Sequence, residues 1–523
     1  MNIFFRKVYS RLHEHQRDLS GKTGGFNTMI IKNWYPVIFQ QMLCRNEHEN
    51  KVKLMHTPQL RQAGLMVLLA GLLLPMIDFS IVNVALDAMA HSLQATPTEL
   101  ALIVAVYGIA FAVCLAMGGR LGDNYGRRRV FISGVGIFGL ASLLCGMAGG
   151  TGMLMFARAL QGVGAAFIVP QILATLHVTL RGREHARAIG LYGGMGGLAF
   201  VIGQVLGGFL IKAAPGGYGW RSVFLINLPI CLGVLIAARR FIPETRNASR
   251  IPVDISGALL LGAATGALML SLALGPVLNW RWPCVMLLLL APLFLLQLRR
   301  VSLRAEAAGR LPLLPPSLLR LPAVRFSLTL AVIFFSCWSG FMFVMALTLQ
   351  SGLGFSAFDS GNAFIALGVA YFIGAMRSTA LVTRFGTRTM LLAGCVIQIT
   401  GLLALMATLQ LRWPQAGILA LAPATALIGF GQSFIVSTFY RIGMRDIPHH
   451  QAGAGSAMLS TVQQSAMGLG PMLLGGVFSH FSQAGSWLSA ISGTLGAELL
   501  SMLLLVAIAL MQHDNAATTP AEG

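Results

Sequence analysis

Long apolar runs alternate along this chain with short charged clusters, and the length of the runs sets its class. Fourteen stretches carry few or no charges: 63–86, 99–119, 130–149, 152–176, 188–212, 221–241, 253–274, 282–298, 324–350, 360–383, 388–411, 415–440, 452–480 and 485–511. A helix rises about 1.5 Å per residue, so about 20 such residues cross a hydrocarbon core of about 30 Å. The pattern predicts an all-α membrane protein with fourteen transmembrane helices. A polar, mixed-charge segment, 1–62, precedes them, and a short polar tail, 512–523, follows. The leading segment lacks the apolar centre of a secretory signal. Met29 and Met55 are alternative starts, and the tail is expected to be disordered.

Composition agrees with this pattern. Only 10% of the residues are charged and 56% are apolar, where a soluble chain carries about 25% charged residues. The mean hydropathy is +0.74. A net charge of +20 would otherwise suggest nucleic acid, so the position of the charges decides. With the N-terminus in the cytoplasm, 1–62 holds ten of the 37 Lys and Arg residues, and nearly all the others fall in loops on the same side. Only Lys212, Arg221, Arg281 and Arg412 fall on the opposite side. This is the positive-inside bias. The basicity therefore reports topology, with both termini cytoplasmic, and excludes nucleic acid as a partner. The seven cysteines are scattered without a C-x-x-C pair and read as small apolar packers, not as disulfides or metal ligands.

Two parts of the chain repeat one another. "GVGAAFIV" (Gly162 to Val169) returns as "GFGQSFIV" (Gly429 to Val436), and the same offset carries Gly203 and Gly208 onto Gly470 and Gly475. "YGRRRV" (Tyr125 to Val130) returns, at nearly that offset, as "FGTRTM" (Phe385 to Met390). Duplicated halves suit a secondary transporter, in which one half rocks against the other about a midplane site. The organisation expected is a six-helix half over 63–241, two extra helices over 253–298, a basic cytoplasmic linker over 299–323 and a second six-helix half over 324–511.

The densest charge cluster is "GGRLGDNYGRRRVF" (Gly118 to Phe131), in the turn between the second and third spans. Glycines there permit a tight turn, Asp123 suits a cap or counter-ion at the start of the third helix, and Arg127 to Arg129 anchor the turn in the cytoplasm. The stretch resembles the loop signature of the major facilitator superfamily. That resemblance implies a major facilitator fold, here two six-helix halves with two central extra helices. It also implies that Gly119, Asp123, Gly126, Arg127 and Arg128 form a latch against the second half and gate transport. The repeat of this loop has Thr383 at the aspartate position, so the intact latch belongs to the first half.

Further stretches resemble the fourteen-helix drug–proton antiporter branch of that superfamily. "IDFSIVNVAL" (Ile77 to Leu86) is similar to its first-helix signature, with Ser80 for threonine and Asp87 in place of the closing proline. "RALQGVGAA" (Arg158 to Ala166) matches the fourth-helix signature, and "WRSVFLINLPI" (Trp220 to Ile230) the opening of the sixth helix. The fifth-helix antiporter signature is altered: "AFVIGQVLGG" keeps Gly203, Gly207 and Gly208 but has Ala199 for its first glycine and Gln204 for its proline. Loss of that proline removes an expected kink while the glycines still permit close packing.

Charges inside spans are costly and functional by default. Asp78 and Arg158 lie at similar depths, about 12 and about 9 Å from one end of their helices, on helices that line the central cavity in this superfamily. Alternation of the carboxylate between pairing with arginine and standing alone would couple proton binding to conformation, and Glu498, near the middle of the last helix, is a second candidate for a proton or a cationic substrate. Glu99 and Asp359 sit at helix starts, where acidic residues cap. Aromatic and Met side chains such as Tyr107, Phe111, Trp338, Phe341, Phe343 and Met345 suit flexible apolar contacts.

An ATP-driven pump would need a phosphate loop. "QRDLSGKT" (Gln16 to Thr23) lacks its first glycine and follows no strand. A membrane enzyme would need paired carboxylates, a metal cluster or a nucleophile elbow, and the spans contain none of these. The expectation is a proton-coupled exporter of lipophilic or cationic drugs in the inner membrane, using the proton gradient and no cofactor. Its partners are the lipid bilayer, protons and a small-molecule substrate; a periplasmic adaptor would leave no signature in this sequence. The alternative is an exporter dedicated to one metabolite, such as an amino acid or siderophore.

Overall fold

A computed structural model describes residues 60–246, 254–278, 280–310, 312–448 and 452–511. Residues 1–59, 247–253, 279, 311, 449–451 and 512–523 lie outside the described residues, and with them the alternative starts at Met29 and Met55 and the polar tail. The described residues form one compact unit.

The described chain is all-helical. Six long helices come first: α1 (Gln62–Leu93), α2 (Pro97–Tyr125), α3 (Arg127–Gly146), α4 (Thr151–Thr179), α5 (Gly182–Ala213) and α6 (Asn227–Phe241). Two more, α7 (Ile255–Val277) and α8 (Trp282–Ala307), pack on each other. A second set follows: α9 (Pro322–Leu347), α10 (Ile365–Phe385), α11 (Thr387–Arg412), α12 (Ile418–Met444), α13 (Ala452–Ala484) and α14 (Trp487–Met511).

Among the described residues, twelve helices are long and apolar enough to cross a membrane. The fourteen expected spans exceed that number by α5 and α13, which run 32 and 33 residues but fall outside the twelve. Both helices lie along the seam between the halves, α5 on α1 and α10, and α13 on α2 and α9. For α5 the apolar stretch among the described residues is Ile202–Ala213, whereas α13 carries Gln463, Gln464 and several glycines, the small and polar residues of a helix–helix contact. The linker differs too: α8 does not stop at 298 but continues to Ala307. Its apolar run ends there, yet the Arg, Leu, Ala and Glu residues that follow are good helix formers.

Local chemistry sets the helix starts. Thr96 and Glu99 form a capping box at α2, with Thr96 N donating to Glu99 Oε2 at 2.8 Å and Glu99 N donating to Thr96 Oγ1 at 3.3 Å. Glu99 Oε1 also accepts from Thr151 Oγ1 at 2.7 Å, which ties the starts of α2 and α4 together. Ser356 caps the short helix Ala357–Ala363 by accepting from Asp359 N at 3.1 Å.

Close backbone approach repeats between the two sets. A Cβ on Gly164 of α4 would fall 2.7 Å from Phe138 N of α3, and one on Gly431 of α12 would fall 2.7 Å from Gln398 N of α11. Gly203 of α5 meets Ile77 O and Ser80 Cβ of α1 at 2.8 and 3.1 Å by the same measure; Gly470 of α13 meets Gly340 N and Ser339 Cβ of α9 at 2.8 and 3.0 Å. The sequence repeat is therefore also a packing repeat. The halves touch at the end opposite the α2–α3 turn. There Ser351 Oγ donates to Asp87 Oδ1 at 2.8 Å, and Lys212 Nζ lies 4.6 Å from the centre of the Phe358 ring.

Candidate functional site

The first half encloses a polar cluster built from four helices. Asp78 of α1, Ser142 of α3, Arg158 and Gln161 of α4 and Asn227 of α6 are all buried, and Asp78, Arg158 and Gln161 are wholly so. Arg158 and Gln161 are three residues apart, so they share one face of α4. Arg158 Nη1 donates to Asp78 Oδ2 in a close ion pair. The other carboxylate oxygen accepts from Gln161 Nε2 at 2.7 Å and Asn227 Nδ2 at 3.2 Å. Gln161 and Asn227 also both donate to Ser142 Oγ, at 2.9 and 3.3 Å, and the Ser142 hydroxyl in turn donates to Phe138 O at 2.8 Å.

The guanidinium is held as fully as the carboxylate. Arg158 Nη1 reaches Gln161 Oε1 at 2.6 Å and Nε reaches Ile103 O at 3.3 Å. Its carbon lies 4.3 Å from the centre of the Tyr107 ring, a cation–π contact, and the Tyr107 hydroxyl donates to Pro75 O at 3.1 Å. Arg158 Nη2 is buried without a hydrogen-bond partner. A proton delivered to Asp78 would leave the guanidinium charge uncompensated in an apolar bundle, so the protonation of α1 and its packing on α4 are linked.

The expectation placed Asp78 and Arg158 at one depth on cavity-lining helices. They do meet, but inside the first-half bundle and away from any open surface. The sequence reading missed Gln161, Ser142 and Asn227, and it took Tyr107 only for an apolar contact. The signal was present in part, since Gln161 and Asn227 both stand inside the stretches "RALQGVGAA" and "WRSVFLINLPI".

Glu498 of α14 is far from this cluster in the fold, in the second half, where Gln398 Nε2 of α11 donates to its Oε1 at 3.1 Å. It is wholly buried.

The α2–α3 turn is closed by the segment that follows α6. Gly126 has φ +109°, which a side chain would strain, and a Cβ there would fall 2.6 Å from Glu244 Oε1. Asp123 Oδ1 accepts from Arg127 Nη2 at 2.6 Å, so Asp123 is the counter-ion of the turn. The cap on α3 comes instead from Glu244 and Thr245. Arg128 N donates to Glu244 Oε1 at 3.1 Å, and Arg127 N to Thr245 O at 2.9 Å. Arg128 and Arg129 flank the same carboxylate at 3.7 and 3.8 Å. Gly119 packs on Pro170 of α4. These contacts bind the turn within the first half. A sequence window that ends at Phe131 does not reach Glu244.

On α5, Gly203 and Gly207 lie against α1, and Gly208 meets Ala357 and Phe358 of the other half. Gln204 is buried, and neither its Oε1 nor its Nε2 has a hydrogen-bond partner. With no proline within it, α5 continues through Gly182–Ala213.

Related helical halves that meet along small-residue seams, with ionisable side chains enclosed in the membrane-spanning part, define a membrane transporter and not an enzyme. The chain belongs to the Major Facilitator Superfamily, whose family model matches residues 68–471. It is 35% identical over 422 residues to a probable actinorhodin transporter of Streptomyces coelicolor, covering 80% of this chain and 72% of that one. A puromycin resistance protein of Streptomyces alboniger is 32% identical, with 79% and 80% covered. A putative multidrug resistance protein, MdtD, of Escherichia coli is 31% identical, with 84% and 91% covered.

Proposed function

We propose that this transporter exports lipophilic or cationic drugs across the inner membrane in exchange for protons, by alternating access. The observation that carries the reading is the buried Asp78–Arg158 ion pair, whose charge state would bear on helix packing. The names of the similar proteins, which speak of drug resistance and of antibiotic transport, support the substrate class. In this reading α5 and α13 also span, giving fourteen helices with both termini in the cytoplasm. The proton gradient supplies the energy without a cofactor. The turn residues Gly119, Asp123, Gly126, Arg127 and Arg128 act as the gating latch. The contacts through Asp87, Lys212 and Phe358 then close the outer mouth.

An exporter dedicated to one natural product is the second reading, favoured by the similarity to the probable actinorhodin transporter. The test is proton flux in liposomes loaded with a pH-sensitive dye, comparing the wild type with Asp78→Asn across a panel of lipophilic cations and polyketide antibiotics. Proton release on addition of several unrelated compounds, lost in the variant, is expected. Transport indifferent to the proton gradient would overturn the coupling, and response to a single compound would favour the dedicated exporter.

A further inference from the structure

The packing repeat relates individual positions in the two halves. Gly203 on Ser80 corresponds to Gly470 on Ser339, so Asp78, two residues before Ser80, corresponds to Cys337, two before Ser339. Gly164 on Phe138 corresponds to Gly431 on Gln398. The sequence repeat that carries Gly162 onto Gly429 carries Arg158 onto Thr425. The second half thus has a thiol where the first has its carboxylate, and a hydroxyl where the first has its cation. A carboxyl group nevertheless stands beside that thiol. Cys337 pairs with Ser501, one turn along α14 from Glu498, and Glu498 belongs to the last helix of its half, as Asn227 does in the first.

We propose that Glu498 is a second proton-binding site, the second half's counterpart of the Asp78 cluster, with the acid moved from the first helix of the half to its last and the arginine lost. Among the described residues Glu498 takes part in no ion pair, and its Oε2 is buried without a hydrogen-bond partner. Gln398 Oε1 is buried and unpartnered too. Gln398 already donates to Glu498 Oε1. A carboxylate offers only acceptors, whereas a carboxylic acid adds one O–H donor. A proton on Oε2 gives Glu498 a donor of its own beside Gln398, whose Oε1 is an acceptor left unfilled.

The helices packed around α14 bring nothing to hold the anion. α13 has no Asp, Glu, Lys or Arg along Ala452–Ala484 and carries only His480, near its far end. The arginines of α9 and α11, Arg325, Arg388 and Arg412, stand at the ends of those helices, and Arg388 donates to Leu510 O at 2.9 Å, three turns from Glu498. The titratable neighbours are thiols, Cys337 of α9 and, one turn before Gln398, Cys395 of α11. An unpaired charge in such a surround is not stable, so in this conformation Glu498 is the neutral acid. Release passes the proton from Oε2 to water and leaves a carboxylate. That step requires water to reach the seam of α11 and α14. Proton exchange at Glu498 is thereby tied to a rearrangement of the second half, and among the described residues each half buries one acid. This inference rests on the proton-coupled reading above.

The test is infrared difference spectroscopy of the purified full-length protein in lipid, titrated from acid to alkaline pH without substrate. The wild type is expected to show the carbonyl stretch of a buried protonated carboxyl, declining as pH rises. Glu498→Gln should remove that band, and Asp78→Asn should leave it. Gln398→Leu, which keeps the acid but strips its donor, should move the band towards the position of a free carboxyl; this arm stands even if Glu498→Gln does not fold. A band unchanged in Glu498→Gln and in Gln398→Leu, or one that never titrates, would overturn the proposal. Failure of the proton-coupled reading looks different: transport in liposomes would ignore the proton gradient while the Glu498 band still titrated.

Discussion

Breaking the Asp78–Arg158 pair from either side tests whether the cluster behaves as a unit. Asp78→Asn leaves a guanidinium with Gln161 Oε1, Ile103 O and the Tyr107 ring but no opposing charge. Arg158→Gln leaves a carboxylate held only by Gln161 and Asn227. Both groups are wholly buried, so each single change uncovers a charge in an apolar bundle and should cost about 3–5 kcal/mol. The double variant Asp78→Asn/Arg158→Gln buries no charge and keeps amides that can bond to one another. Its loss should fall short of the sum of the two by about 1–3 kcal/mol, the range for residues sharing one network. The assay is reversible unfolding in mixed micelles with rising denaturing detergent, run as a double-mutant cycle. Single losses under about 1 kcal/mol that simply add would refute the idea that Asp78 and Arg158 depend on each other. The double variant should regain stability without regaining proton flux, since no group of the Asp78 cluster then titrates.

Three further outcomes follow from the same geometry. Gly126→Ala combines a strained φ with a clash against Glu244 and should cost more than about 1 kcal/mol, read as a fall in unfolding midpoint and in transport rate. Gln204→Leu removes an amide whose two polar atoms are buried and unpartnered, and should stabilise the protein by about 1–3 kcal/mol in the same unfolding assay; destabilisation would show that the amide has a role in the fold. Asp87→Cys with Ser351→Cys, joined by a short bifunctional thiol reagent in a background lacking the native cysteines, should arrest transport until the link is reduced. Undiminished transport in the linked protein would mean that this end of the seam does not open.

What the sequence determined by itself is what local chemistry and a one-dimensional pattern can carry. Apolar runs long enough to cross a bilayer define helices whatever they pack against, because unsatisfied backbone groups in hydrocarbon are too costly to allow another form. The capping residues Glu99 and Asp359 act within a few positions of where they stand, and the glycine repeat around Gly162 and Gly429 is a property of the string. Asp78 and Arg158 stood out because a charge in an apolar run is conspicuous. Their partners Ser142, Gln161 and Asn227 did not, since an uncharged polar residue in a helix is common and its meaning depends on what faces it. Only the tertiary structure brought those side chains from α3, α4 and α6 onto one carboxylate, and placed Glu244, more than a hundred positions away in sequence, on the start of α3. It also decided the difference between the two acids. Asp78 folds against an arginine and Glu498 against the glutamine Gln398, a contrast set by which helix faces meet and invisible in the order of residues.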